Sequence, residues 1–430
     1  MKNRPLLAAA AALCAVSFGL TACGGGDDPA NASGEDKAAA GPVTLNYTWW
    51  GSQDRADRMT KAIAEFEAAH PDIKIKPNFT DYEGYWQKRA TEAAGGGLPD
   101  VMQFDFSYLR QYADRGALLD LKEVEDGVDL SGIDDSLLPA GEIDGGTYGV
   151  PIGTNALAMY YNPDLVTQLG VEPPKEGLTW DEYNAWIKEA SAKGGGNVWG
   201  AGDYTGVLWL FDMKLRQEGK KLLDEDGKLA IEKSDLKEWL ASTDELRQSG
   251  AIVPADRITQ ISPMSAMGAK LTATEMSWDN FLAGYLKDSG AAKIEMLAPP
   301  TTDGEKGLFV KPSMLYAIGA NTEHPEAAAE FVDFMTNDPE VGEIFGTSRG
   351  VPASKAQRDA VAAEGPDAQV LEYEKAIAED LDESPAPLPA GFGTLEKELL
   401  RLSEEINYGR MSVDQAVEEW FTEAEAALEQ

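Results

Sequence analysis

Val43-Thr44-Leu45-Asn46-Tyr47-Thr48-Trp49-Trp50-Gly51-Ser52-Gln53-Asp54-Arg55-Ala56-Asp57-Arg58 changes character at its glycine. β-Branched and aromatic residues up to Trp50 predict a buried strand. Met59, Ala62, Ile63 and Phe66, spaced by three and four, predict a helix behind the turn. A strand feeding a helix is the first half of a βαβ unit. In open α/β sheets ligands sit beyond the carboxyl ends of strands, which is where Trp50 to Arg55 falls. An aromatic ring beside polar groups suits a sugar, whose C–H face stacks while its hydroxyls hydrogen-bond. Strand alternation sends Trp49 and Trp50 to opposite faces, and Trp50, beside Gly51, is the one expected to face a ligand.

Upstream, Lys2 and Arg4 precede an apolar run from Leu6 to Val16, the charged and hydrophobic regions of a secretory signal. The run is shorter than the roughly 20 residues a permanent membrane span requires. It ends in Leu20-Thr21-Ala22-Cys23, which resembles the lipobox of bacterial lipoproteins, so residues 1–22 are expected to be removed and Cys23 to carry a diacylglyceryl anchor. Two acyl chains hold a protein stably on a membrane. Cys14 lies in the discarded run, which leaves no thiol for a disulfide, a metal or a nucleophile. Gly24 to Gly41 has no apolar period and reads as a flexible tether (23–42). The formal charge is −37, and loss of Lys2 and Arg4 makes it more negative. Such a surface repels phosphate backbones and anionic headgroups, which excludes nucleic acid and assigns membrane association to the lipid alone.

Downstream, Ile73 to Phe79 predicts a second strand, Tyr85 to Ala94 a second helix closed by Gly95-Gly96-Gly97, and Leu98 to Phe104 a third strand with Asp105 at its carboxyl end. This alternation indicates a largely parallel sheet, and the length suggests two or three domains. Asp144-Gly145 marks a tight turn ahead of a strand at Ala156 to Tyr161. Thr179-Trp180-Asp181-Glu182 and Ser412-Val413-Asp414-Gln415 are capping boxes that open helices. Helical periods run through Val207 to Arg216 and Leu236 to Leu246. Strand patterns occupy Leu271 to Trp278, Ile294 to Leu297 and Pro312 to Ile318.

Enzyme chemistry finds little support. Gly346-Thr347-Ser348-Arg349-Gly350 matches a G-x-S-x-G elbow, which needs a strand before it, a helix after it and a later histidine. A helical segment precedes it, Val351-Pro352 follows, and both histidines, His70 and His324, come earlier. Those two histidines without a usable cysteine make no zinc site, and no P-loop or EF-hand spacing occurs. Asp224-Glu225-Asp226-Gly227 reads as a hairpin turn. No carboxylate pair stands out for glycoside hydrolysis. Trp50, Trp199, Tyr204, Trp209, Trp278 and Phe392 lie in or beside turns, where a concave site gathers residues and where core packing is the alternative role.

Trp49-Trp50-Gly51 with Asp54-Arg55, Leu98-Pro99-Asp100-Val101, Tyr148-Gly149-Val150-Pro151 through Tyr161-Asn162, Trp278-Asp279-Asn280, Lys311-Pro312-Ser313, the helix Pro325 to Thr336 with Asn337-Asp338-Pro339, and Arg349-Gly350-Val351-Pro352 occur across the chain. Together, behind a lipobox, they resemble the carbohydrate class of bacterial extracellular solute-binding proteins, the receptors of ATP-binding-cassette sugar importers. The resemblance implies an α/β, periplasmic-binding-protein-like fold of two lobes, each a mostly parallel sheet flanked by helices. The lobes would be 43–155 with 305–345 and 156–304 with 346–430, joined by crossings near Asn155 to Tyr160, Ala298 to Lys306 and Phe345 to Val351.

It further implies that a mono- or oligosaccharide is held between the lobes by Trp50, Asp54, Arg55, Asp105, Tyr108 and Asn155 on one side. Tyr204, Trp209, Trp278, Asp279, Arg349 and Phe392 would hold it on the other. Asp54 serves equally as a helix cap and Arg349 equally as a salt bridge across the hinge. The implied protein is a monomeric, lipid-anchored receptor on the outer face of the membrane, without cofactor or metal, with a sugar and permease subunits as partners. A secreted carbohydrate-active enzyme and a glycan sensor are the other classes such a surface would serve.

Overall fold

The computed structural model describes residues 42–429 apart from 125–126, 225, 263, 363 and 386, so the signal run, Cys23 and the tether up to Gly41 lie outside the described residues. β1 (Val43–Trp50) buries Leu45, Tyr47 and Trp49, as alternation requires. Ser52 then accepts a hydrogen bond from the Arg55 N–H and opens the helix Gln53–Ala69, whose buried stripe is Ala56, Met59, Ala62, Ile63 and Phe66. The cap is therefore Ser52, and Asp54 is an exposed first-turn acid.

β2 (Ile73–Thr80) and β3 (Val101–Phe104) flank β1 and run parallel to it. The helix Tyr82–Ala94 joins them, capped by Asp81 and ending at Gly95. β4 (Glu142–Ile143) and β5 (Gly146–Thr147) form a hairpin whose turn residues, Asp144 and Gly145, both have positive φ (50° and 84°) as a type I′ turn demands.

β6 (Val150–Tyr161) starts well ahead of the expected Ala156, because the chain stays extended through Pro151 and Gly153 by shifting register there. This strand serves two sets of partners. β7 (Thr274–Trp278) and β8 (Glu295–Leu297) pair antiparallel with Leu157 to Tyr161. β9 (Val310–Ile318) pairs with Val150 to Ala156, and β10 (Val351–Pro352) with Gly153 and Thr154. β9 also pairs antiparallel with β3, giving the order β10-β6-β9-β3-β1-β2. The sheet is thus mixed: β1, β2 and β3 form the parallel run, and β9 opposes it.

Both capping boxes form as their spacing predicts, on the helices Trp180–Gly194 and Val413–Leu428. The period expected to be one helix over Leu236 to Leu246 is split into Lys233–Ala241 and Asp244–Ser249, with Arg247 bonding Thr243 and Asp203 at the break. One apolar core gathers Tyr47, Trp49, Phe66, Tyr316 and Phe331. The other runs from Tyr85 and Phe104 through Ala156 to Tyr160 of β6 and on to Trp209, Phe392 and Trp420. Among the described residues no helix is long and apolar enough to cross a membrane.

Candidate functional site

The carboxyl ends of β1 and β3 carry an aromatic nest. Trp50 is half-buried and meets Tyr82, Tyr85 and Trp86 at ring-centre distances of 5.4, 5.2 and 5.9 Å. Tyr108 stacks on Trp86 at 4.2 Å and 28°. Asp105, at the end of β3, caps the short turn Phe106–Tyr108 with one carboxylate oxygen and accepts from the Tyr82 hydroxyl (3.2 Å) with the other. Trp49 faces away, 2% exposed and stacked on Phe79.

A second aromatic group stands at the end of β7 and on two helices. Trp209, on the helix Leu208–Gln217, lies 6.0 Å from Trp278, 5.8 Å from Phe309 and 5.3 Å from Phe392, which opens the helix Phe392–Asn407. Trp209 and Phe392 also wall a cavity of about 540 Å3 whose rim includes Arg216, Leu222, Leu388 and Pro389. That volume lies in the usual range for small-ligand pockets.

Glu396 joins the two groups. Its carboxylate accepts from the Ser107 hydroxyl (2.7 Å) beside the first nest and from the Trp209 indole N–H in the second. The neighbouring Gly393 leaves room for Tyr108, since a Cβ there would meet the Tyr108 ring carbon Cζ at 2.6 Å. Burial first, and then the charge of Asp105, pushes the Glu396 carboxyl up to about 7. Lys311 at the start of β9 supplies the opposite charge, its ammonium 4.7 Å from the Trp278 ring centre.

Behind these groups β6 changes partners. Asp279 is fully buried and accepts from the Ala156 N–H (3.0 Å), while Glu374 accepts from the Thr154 hydroxyl at 3.1 Å. Burial and the adjacent Glu374 hold the Asp279 carboxyl well above the usual range. Burial likewise raises the Glu374 carboxyl, and its interaction with Asp279 lowers it, so the two acids act on each other at this switch. Among the described residues no cluster of histidine, cysteine and acidic side chains could hold a metal ion.

The site expected from sequence is therefore only partly assembled. Trp50, Asp105 and Tyr108 come together with Trp209, Trp278 and Phe392. Tyr204 does not: it is 5% exposed, packs on Trp180 and Trp239, and bonds Asn184. Asp54 is on the surface, paired with Arg58 (3.0 Å) and 3.9 Å from Lys287. Arg55 donates to the Ser348 carbonyl (3.1 Å) and to the Trp50 carbonyl (3.4 Å). Burial and the nearby Arg349 lower its pKa to about 10, which leaves it charged at neutral pH.

Arg349 forms a hydrogen bond to the Tyr316 hydroxyl and stacks 3.6 Å over Phe345, in place of the salt bridge considered from sequence. Asn155 is buried, its Oδ1 beside Gly350 and without a hydrogen-bond partner among the described residues; it and Asp279 stand at the strand switch. The Ser348 hydroxyl donates to the Phe345 carbonyl (2.7 Å), and His70 pairs with Glu330, so the G-x-S-x-G run holds no triad of those residues.

Sequence reasoning missed Trp86, Tyr82, Lys311, Phe309 and Glu396. Trp86 sits on a helical face that reads as packing, Tyr82 lies ahead of the expected helix start at Tyr85, and Glu396 is one acid among many. Lys311 alone carried a signal, as a cation opening an apolar strand.

The family model described as bacterial extracellular solute-binding protein matches residues 61–369. The diacetylchitobiose binding protein of Streptomyces coelicolor is 25% identical over 366 residues, 81% of this chain and 82% of its own length. A Brucella abortus protein assigned to the binding proteins is 26% identical over 288 residues, so the chain spans 66% of that relative's length. The fold matches that of a periplasmic oligogalacturonide binding protein from Yersinia enterocolitica, solved with saturated digalacturonic acid. The TM-score is 0.79 at 24% identity, covering 90% of this chain and 99% of that one. Structural neighbours of this kind are two-lobed periplasmic solute-binding proteins. With the family match covering most of its length and that fold around a paired aromatic site, this chain belongs to the bacterial extracellular solute-binding protein family.

Proposed function

We propose that the chain is the substrate-binding lipoprotein of an ATP-binding-cassette sugar importer. It captures a mono- or oligosaccharide between two lobes and delivers it to a membrane permease without altering it. The observation that carries this reading is the pair of aromatic groups, Trp50 with Trp86 and Tyr108 against Trp209 with Trp278, bridged by Asp105, Glu396 and Lys311. Flat rings take the C–H faces of pyranoses, and charged groups between them take the hydroxyls. The names of the Streptomyces and Yersinia relatives support a glycan ligand.

The lobes are 43–155 with 305–345 and 156–304 with 346–430, and the partner change of β6 at Asn155 to Leu157 supports a hinge there. The protein acts as a monomer held outside the cell by lipid on Cys23, and its interaction with sugar needs no cofactor. A glycan panel read by thermal shift tests the reading. One or more sugars should raise the midpoint in a concentration-dependent way, and chromatography should recover the sugar intact. New reducing ends after incubation, or no midpoint shift with any glycan, would sink it.

A further inference from the structure

Lys311 is 6% exposed and stands where β9 pairs with Asn155 of β6. Its ammonium lies 4.7 Å from the Trp278 ring centre and 5.3 Å from that of Trp209. The hydrogen bond it makes is a long one, 3.4 Å to the Pro312 carbonyl. Among the described residues no carboxylate lies within ion-pair distance of it. The other buried cations are partnered more closely: Arg89 bonds Thr48 and pairs with Glu92, and Arg349 bonds the Tyr316 hydroxyl and stacks 3.6 Å over Phe345. An ammonium has three donors, and removing it from water without strong partners is costly, a cost two indole faces offset only in part.

We propose that Lys311 is a specificity-determining contact of the sugar site, an inference that rests on the sugar reading above. It donates to a hydroxyl, ring or carbonyl oxygen of an uncharged sugar that lies against Trp278. The uncharged class follows from the neighbours. Ser107 ties two carboxyls together at the site, its N–H bonding Asp105 and its hydroxyl bonding Glu396, where Lys311 is the one ammonium that acts on Glu396, and Asp105 raises the Glu396 pKa as a like charge does. A sugar bearing a carboxylate adds a third acid to that group. A hydroxyl accepts from Lys311 and donates to Glu396 or Asp105, which satisfies both kinds of partner.

Lys311→Met keeps the apolar stem and removes the charge. Both proteins are titrated calorimetrically with N,N′-diacetylchitobiose, lactose and saturated digalacturonate, and the thermal midpoint of each is taken without sugar. The unaltered protein should bind a neutral disaccharide in preference to digalacturonate. Lys311→Met should lower the neutral affinity at least about tenfold, with an unliganded midpoint equal to or above that of the unaltered protein. Preference for digalacturonate, or an unchanged neutral affinity in Lys311→Met, overturns the inference. A lower unliganded midpoint does so too, because it makes the lysine a packing residue. Silence with these three and with the rest of the glycan panel in the unaltered protein overturns the sugar reading itself, and the midpoint comparison still shows separately whether Lys311 is a prop.

Discussion

Trp49 and Trp50 differ in what surrounds them more than in their chemistry. Trp49 is 2% exposed in the core beside Tyr47, and replacing it by alanine should cost about 3–5 kcal/mol of stability. Trp50 is half-buried at the mouth of the nest, so Trp50→Ala should cost less stability than Trp49→Ala. It should weaken sugar binding by about 1 kcal/mol or more, as should Trp278→Ala. Paired denaturation and titration check this, and equal stability losses for Trp49→Ala and Trp50→Ala would contradict it.

Glu396 makes a second prediction at the same scale. Folded, its carboxyl holds a proton up to about pH 7, against an ordinary value of 4.5. The folded state therefore binds the extra proton between those limits, and stability falls as pH rises through the window. Glu396→Gln keeps an acceptor oxygen and cannot ionise. Its midpoint relative to the unaltered protein should climb from about pH 5 to about pH 8. A flat difference across that range would show that Glu396 does not titrate there.

At the scale of elements, the segment from Phe345 to Val351 is held by arginines from the first helix. Arg58 donates to the Ile344 carbonyl (2.7 Å) at the end of the helix Pro339–Phe345, and Arg55 to that of Ser348. Gly350 then passes β6 at φ 92°, where a Cβ would lie 2.3 Å from the Thr154 carbonyl oxygen. Gly350→Ala should cost at least about 2 kcal/mol, from the left-handed conformation and the backbone clash together. Chemical denaturation measures it, and a loss below about 0.5 kcal/mol would mean that the crossing rearranges freely. The sequence pattern found this segment through its Gly-x-x-x-Gly spacing, but offered an enzyme elbow and a hinge as rival readings. The missing strand and later histidine already told against the elbow, and the structure adds that the Ser348 hydroxyl is spent on the Phe345 carbonyl.

For the whole molecule, the parallel strands, the capped helices and the aromatic turn were legible in sequence, because strand alternation, capping boxes and turn residues act within a few positions of one another. The Ser52 cap, the buried stripe of the first helix and the opposed faces of Trp49 and Trp50 are local consequences of that kind. What only the tertiary structure decided spans long separations. Ser107 reaches Glu396, Arg55 reaches Ser348, and Lys311 settles between Trp209 and Trp278. Tyr204 belongs to a core and Trp209 to the site, although both lie beside turns in sequence. A side chain's neighbours along the chain set its conformation, whereas its role depends on which distant groups burial forces it to meet.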